Sequence, residues 1–139
     1  MKRILLNIAF LLLLATVSNA QCNPDGLAPT CNSKLGDFTF IKNYKIDPAK
    51  VVNGVSEFSY VFSKDTQYFL SVCDGKSDSP KIEITLMDSN KKPLATNMDG
   101  GKYYPGIAYK CTTTGIYYMS FNVTAAAEKC AVSALGFKK

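Results

Sequence analysis

Short segments in which every second residue is apolar, separated by turn-forming residues, recur from residue 38 to residue 137. In one of them the apolar residues Ile82, Ile84 and Leu86 alternate with two polar ones. A period of two, in short segments rich in Tyr, Phe, Ile, Val and Thr, is typical of half-buried β-strands. The strands predicted in this way span residues 38–46, 57–62, 66–73, 82–86, 93–97, 106–110, 116–123 and 130–137. About eight strands in a chain of this size predict an all-β protein, an antiparallel two-sheet sandwich of jelly-roll type.

Three segments lie outside this pattern. Residues 21–35 hold two prolines, a glycine and two cysteines without periodicity, which predicts an irregular arm. Residues 98–102 are predicted to form a glycine-rich loop, and residues 124–129, with three alanines, are the only segment that could form a helical turn. The predicted organisation is therefore a signal peptide over residues 1–20, the arm over residues 21–35 and the β-sandwich over residues 36–139.

The first twenty residues have the pattern of a secretory signal peptide. Lys2 and Arg3 precede an apolar run over residues 4–17 that is too short to cross a bilayer, and a small-residue cleavage site ends at Ala20. We therefore expect a secreted or periplasmic protein with no transmembrane segment. Lipid attachment at Cys22 is the alternative, but it would need a small residue where the chain has Gln21.

Cleavage after Ala20 would leave a chain with no histidine, arginine or tryptophan. Histidine is the commonest general base and metal ligand, and arginine is the residue best suited to bind phosphate through two hydrogen bonds. Removal of Lys2 and Arg3 lowers the formal net charge from +5 to +3, and the remaining lysines are mostly single rather than clustered. The composition predicts a protein that is not an enzyme, needs no cofactor and binds no nucleic acid.

The acidic residues offer two alternatives. Paired carboxylates could support glycoside hydrolysis, and the segments 74–78 and 88–90 carry oxygen ligands that could bind calcium. Most of these residues, however, lie in predicted turns, where aspartate is favoured for its local hydrogen bonds. We interpret them as turn residues and predict no metal site.

The exported chain would contain five cysteines: Cys22, Cys31, Cys73, Cys111 and Cys130. In an exported domain these residues are candidates for disulfide bonds, and their odd number leaves at least one without a partner in the chain. A bond between Cys22 and Cys31 would clip the irregular arm to itself. Zinc binding is disfavoured because the chain has neither a C-x-x-C pair nor a histidine.

Four segments follow one another in the order EFSYVFSKD, TQYFLSV, IEITLMDSNKKPLATN and TTTGIYYMSF. In this order they resemble the strands and turns of the bacterial pre-peptidase C-terminal domain, a small jelly roll appended to many exported peptidases and collagenases. The resemblance implies a PPC-like domain that stands alone, and residues 47–53 lack the paired carboxylates of the family's calcium site. The implied strand order places residues 66–73 beside residues 130–137. It therefore implies a Cys73–Cys130 disulfide and leaves Cys111 as the odd thiol.

Tyrosines are the candidate ligand contacts. Tyr103 and Tyr104 lie at the glycine-rich loop, and Tyr117 and Tyr118 are adjacent on a predicted strand. Adjacent strand residues face opposite sides of a sheet, so one of Tyr117 and Tyr118 should lie in the core and the other outside. Flat aromatic side chains with a polar tip suit sugar rings and extended peptides. We expect Tyr103, Tyr104 and one member of the other pair to contact a ligand.

The sequence thus predicts an exported, non-catalytic binding module for a polysaccharide, another envelope polymer or a protein. The alternative is an inhibitor of a protein partner, or a structural component of a cell-envelope assembly. The sequence leaves the oligomeric state open.

Overall fold

The computed structural model describes residues 22–139; the predicted signal peptide and its cleavage site lie outside the described residues. These residues form one helix, α1 (Pro24–Ser33), a short 3-10 helix (Pro48–Lys50) and ten strands. The strands are β1 (Thr39–Ile46), β2 (Val55–Phe62), β3 (Gln67–Cys73), β4 (Glu83–Met87), β5 (Pro93–Thr96), β6 (Met98–Asp99), β7 (Lys102–Tyr103), β8 (Gly106–Lys110), β9 (Gly115–Asn122) and β10 (Ala131–Lys138).

Eight of the strands form two four-stranded antiparallel sheets. Sheet A has the order β1-β10-β3-β8 and sheet B has the order β2-β9-β4-β5. Apart from the β4–β5 hairpin, the eight strands alternate between the sheets along the chain, which is the jelly-roll arrangement, and the predicted all-β antiparallel sandwich is confirmed. Strands β6 and β7 pair as a two-residue ribbon where the sequence predicted only a loop. Residues 124–129 contain a hydrogen-bonded turn but no helix.

The main core fills the space between the two sheets with alternate residues of each strand. At the end of the core next to the β2–β3 connection, the ring of Phe62 stacks on those of Tyr68 and Tyr117, with centroids 3.9 and 4.9 Å away. Ile84 and Phe121, which are fully buried, extend this core toward the other end of sheet B. The apolar side chains of the period-two pattern therefore lie in the core, as the sequence predicted.

Residues 24–33 form helix α1, so the predicted irregular arm is wrong in this segment. The side chain of Asn23 caps the helix by accepting a hydrogen bond from the Gly26 backbone N–H, and Pro24 occupies the first turn, where its missing N–H costs nothing. The helix covers the outer face of sheet A and forms a second core there, which includes Cys31, Leu35, Cys73, Val132 and Ala134. Packing on the sheet explains a helix that the local sequence does not indicate.

Two disulfides attach this helical segment to sheet A: Cys22–Cys130 and Cys31–Cys73, with Cα–Cα distances of 5.3 and 5.6 Å. The four bridged cysteines are those predicted, and Cys111 is the free one, but the predicted pairs Cys73–Cys130 and Cys22–Cys31 are wrong.

The physical reasons for the actual pairing are the register of sheet A and the length of α1. Strands β3 and β10 are neighbours, as the resemblance implied, but their register sets Cys73 opposite Val132 rather than Cys130. Eight residues of helix from Pro24 to Cys31 span about 12 Å, too far for a bond between Cys22 and Cys31. The helix instead places Cys31 next to Cys73, to which it is bonded.

The disulfides also bear on localisation. Such bonds form and persist in oxidising compartments, which fits a protein outside the cytoplasm. The sulfur of Cys22 is bonded to Cys130 and so is not free to carry a lipid. In the part of the chain that the structure describes, no helix is long and apolar enough to cross a membrane.

Tyr44 and Ser133 are cross-strand neighbours whose buried hydroxyl groups have no hydrogen-bond partner within residues 22–139. Burial raises the pKa of Tyr44 to about 12, with a smaller contribution from Tyr60. Since a buried hydroxyl without a partner is unfavourable, we expect Tyr44→Phe to raise the free energy of unfolding by about 1 kcal/mol at pH 7.

At pH 11 the advantage of Tyr44→Phe should increase by about another 1 kcal/mol. The tyrosine of the unfolded chain ionises above pH 10 while folded Tyr44 keeps its proton until about pH 12, so wild-type stability falls between these values. Urea unfolding of both proteins at pH 7 and pH 11 measures the difference. Equal stability of the two proteins at both values would contradict the expectation.

Candidate functional site

The connections between strands gather at two ends of the sandwich. The turn end is formed by the three tight connections at residues 63–66, 88–92 and 111–114. The ribbon end is formed by the longer connections at residues 47–54, 74–82, 97–105 and 123–130. Loops held by a rigid scaffold are the usual place for binding residues, so each end is a candidate site.

Tyr117 and Tyr118 face opposite sides of sheet B, as the sequence predicted. Tyr117 is 5 % exposed, and its hydroxyl donates a hydrogen bond to the Thr113 carbonyl oxygen at 2.7 Å. Its burial raises the pKa of Tyr117 well above the ordinary value. Tyr117 is thus the core member of the pair and fixes the turn at residues 111–114, which leaves Tyr118 as the member predicted to contact a ligand. Tyr118 is half-buried on the outer face, with the Lys91 ammonium 3.5 Å from its ring centroid.

Tyr103 and Tyr104 lie at the ribbon end, away from Tyr118. Tyr104 is 42 % exposed, and the Lys102 ammonium lies 4.9 Å from its ring centroid. The buried Asn97 anchors the ribbon, because its side-chain amide donates hydrogen bonds to the carbonyl oxygens of Ile82 and Tyr104, both at 2.9 Å. The predicted tyrosines therefore do not form one site, although the ribbon presents Tyr104 on a fixed support.

The aspartates of the two candidate calcium segments serve the local backbone. Asp74 Oδ1 accepts hydrogen bonds from the backbone N–H groups of Lys76 and Ser77, at 2.8 and 2.7 Å. Asp88 Oδ1 accepts in the same way from Asn90 and Lys92. The interpretation of these two aspartates as turn residues is confirmed. Across residues 22–139, no three Cys, Asp or Glu side chains come together as a metal site would require.

The outer faces of the two sheets differ. Helix α1 covers that of sheet A, whereas no described helix covers that of sheet B. Val61 on β2 and Ile116 on β9 are directly opposite each other on this open face, 56 % and 49 % exposed. Leu94 on β5 is also exposed and shares a cavity with Ile116. We call Val61, Ile116 and Leu94 the turn-end strip.

The cavity between Ile116 and Leu94 has a volume of about 250 Å³ and a polar rim. The rim consists of Asp88, Ser89, Thr112, Thr113 and Thr114. Apolar side chains surrounded by hydroxyl and carboxylate groups are the common arrangement of protein-binding surfaces.

Backbone hydrogen bonds hold the turns beside the strip together. The N–H of Asp65 donates to the Cys111 carbonyl oxygen at 2.8 Å, and the N–H of Cys111 donates to that of Thr66 at 2.9 Å. The Lys64 N–H donates to the hydroxyl of Thr114, also at 2.9 Å. The turn end is therefore a preorganised surface, which limits the entropy lost on binding.

Sequence reasoning missed this strip, although a signal for it exists. Because Phe58, Tyr60 and Phe62 face the core, Val61 must face outward, and Ile116 must do so because it precedes the buried Tyr117. Single exposed apolar residues are ordinary, however, and only the register of β2 and β9 shows that these two are neighbours.

No model of a protein family matches the chain, and no curated protein matches it in sequence. Solved structures do match. One is the crystal structure of PliG from Aeromonas hydrophila, described as a periplasmic lysozyme inhibitor of g-type lysozyme. That chain is 10 % identical to this one, with a TM-score of 0.45 over 73 % of this chain and 89 % of the other.

Proposed function

We propose that this protein is an exported, non-catalytic binding module that recognises a protein partner outside the cytoplasm through the turn-end strip. The observation that carries the proposal is the cross-strand pair Val61 and Ile116, which are exposed on the one sheet face that α1 leaves open. Burial of these side chains and Leu94 against a partner would supply the apolar centre of an interface.

Chemical composition supports a role in binding rather than catalysis. The chain contains no histidine, and its one arginine lies in the predicted signal peptide. Asp74 and Asp88, which the sequence offered as calcium ligands, bond to nearby backbone N–H groups. The resemblance to the pre-peptidase C-terminal domain, which stays a prediction, also implies a module without catalysis.

Polymer binding is the second candidate, and Tyr104 is the observation that favours it. Its ring is exposed on a ribbon that Asn97 holds in place, an arrangement suited to stacking on a sugar ring. The two candidates use opposite ends of the sandwich, so single substitutions separate them.

The test replaces Ile116 by lysine and compares binding with that of Val52→Lys. Val52 is 70 % exposed at the ribbon end, so the control introduces the same charge at an exposed apolar position away from the strip. Immobilised protein is offered exported proteins, including purified g-type lysozyme as one member of the panel, and the affinity of each captured protein is measured by calorimetry. We expect Ile116→Lys to weaken binding by about 30-fold or more, as for central interface residues, and Val52→Lys to leave it unchanged.

Co-sedimentation with chitin, cellulose, collagen and peptidoglycan gives the competing outcome. Retention on one polymer that is lost in Tyr104→Ala and kept in Ile116→Lys would replace the protein-binding proposal by polymer binding. A protein partner that binds Ile116→Lys as tightly as Val52→Lys would also overturn it. Both lysines replace exposed side chains, so the variants should fold normally.

A further inference from the structure

A second cleft opens at the turn end between β1 and β2, which are the adjacent edge strands of the two sheets. Its volume is about 300 Å³, the lower end of the range for small-molecule pockets. Its apolar walls are Ile41, Tyr60, Val61 and Phe137. Thr66 and Tyr68 also line it, although these residues are only 4 % and 5 % exposed. The cleft therefore enters the space between the sheets.

Two hydroxyl groups on residues that line this cleft have unused hydrogen-bonding capacity. The Thr66 hydroxyl oxygen keeps some solvent exposure and makes no hydrogen bond to any of the described residues. The Tyr68 hydroxyl accepts a hydrogen bond from the Ser63 N–H at 2.9 Å, but its own proton has no acceptor among residues 22–139. Both hydroxyls can therefore donate a hydrogen bond to a polar group that enters the cleft from outside.

The cleft also has two lysines that are free of ion pairs. Lys64 and Lys139 line it, and neither pairs with an acid within the described residues. Four other lysines form ion pairs with acidic residues, namely Lys45, Lys76, Lys91 and Lys138. Two lysines and two hydroxyl donors that line the same cleft favour an anionic ligand group.

The polar and apolar parts of the cleft are separated along its length. Lys64 and Thr66 belong to the turn at residues 63–66, and Tyr68 bonds to the same turn. Ile41 and Tyr60 lie further along strands β1 and β2, toward the ribbon end. A ligand with an anionic head at the turn and an apolar body between the edge strands would satisfy both parts.

We propose that this cleft binds a medium-chain aliphatic monocarboxylate. The carboxylate accepts hydrogen bonds from the hydroxyls of Thr66 and Tyr68 and is neutralised by Lys64 and Lys139. The alkyl chain packs on the apolar walls. The site is separate from protein recognition by the turn-end strip, with which it shares only Val61.

The experiment titrates the purified, oxidised protein with octanoate and measures affinity by calorimetry and chemical-shift changes by NMR. Saturable one-to-one binding should shift the resonances of Tyr68 and Phe137. Hexanoate should bind about 15-fold more weakly, because each buried methylene contributes about fourfold. Octan-1-ol, which has the same number of carbon atoms and no charge, should bind more weakly than octanoate.

Variants distinguish this site from adsorption elsewhere. We expect Lys64→Gln/Lys139→Gln and Thr66→Val each to weaken octanoate binding by about fivefold or more, while the exposed Lys50→Gln control leaves it unchanged. Three results would each overturn the proposal: absence of saturable binding, equal binding of octanoate and octan-1-ol, and equal effects of the cleft and control substitutions. Ile116→Lys should keep octanoate binding, so failure of this proposal and failure of protein recognition are read separately.

Discussion

Cys31→Ala/Cys73→Ala is expected to lower the free energy of unfolding by about 4 kcal/mol, the chain-entropy value for a loop of this length. The bond joins residues 42 apart in sequence and lies in the second core, where Cys31 and Cys73 are both buried. Loss of the bond increases the conformational entropy of the unfolded chain and also weakens the packing of α1 on sheet A. Guanidinium unfolding of the oxidised variant and wild type measures the change, with Cys111→Ala as the control for loss of a single buried thiol.

The same variant tests the pairing itself. The structure pairs Cys22 with Cys130, and this bond does not involve the substituted residues. The denatured variant should therefore contain one reactive thiol, that of Cys111. The two predicted pairs, Cys22–Cys31 and Cys73–Cys130, would leave Cys22 and Cys130 without their partners and give three thiols. A count of three, or a loss of stability below about 1 kcal/mol, would contradict the structure.

The strand pattern shows how much of this fold the sequence contains. Alternation such as that of Ile82, Ile84 and Leu86 is sufficient to locate a strand, because the pleat itself has a period of two. All eight long strands lie within two residues of their predicted bounds. Their order in the sheets came from a resemblance rather than from the pattern, since alternation is a local property and strand pairing is not.

The helical arm shows where local reasoning fails. Residues 24–33 contain two prolines and little periodicity, and neither feature indicates a helix. Their helix forms because the side chains of Leu27, Cys31 and Leu35 pack on sheet A and because two disulfides hold the segment there. The disulfide pairing depends on this tertiary contact and so could not be derived from cysteine spacing.

The predicted ligand contacts rest on residue type, which is another local property. Residue type drew attention to the tyrosines, of which Tyr117 is buried and Tyr103 and Tyr104 lie at the other end of the sandwich from Tyr118. The turn-end strip depends instead on two ordinary aliphatic residues, Val61 and Ile116, which are neighbours only through the register of β2 with β9. A chemical property of single residues reveals a catalytic centre more readily than a binding surface.

Phe62→Ala should lower the free energy of unfolding by about 4 kcal/mol, within the range for a fully buried phenylalanine. The ring of Phe62 is 0 % exposed and stacks on both Tyr68 and Tyr117, so its removal leaves a cavity with aromatic walls on two sides. Tyr68 and Tyr117 bond to the turns at residues 63–66 and 111–114, respectively. The loss should therefore also loosen the turn end.

Phe40→Ala is the matched control, because Phe40 is 46 % exposed and its truncation should cost less than about 1 kcal/mol. Chemical denaturation gives the stability of both variants, and exchange of the hydrogen-bonded amides of Lys64 and Cys111 reports the turn end. Phe62→Ala could lower the free energy of unfolding while the turn amides exchange no faster than those of the rest of the molecule. In that case the aromatic stack stabilises the fold without holding the turn end in place. Faster exchange at the turns than elsewhere would link the aromatic stack to the turn end, because Tyr68 and Tyr117 pack on Phe62 and bond to these turns.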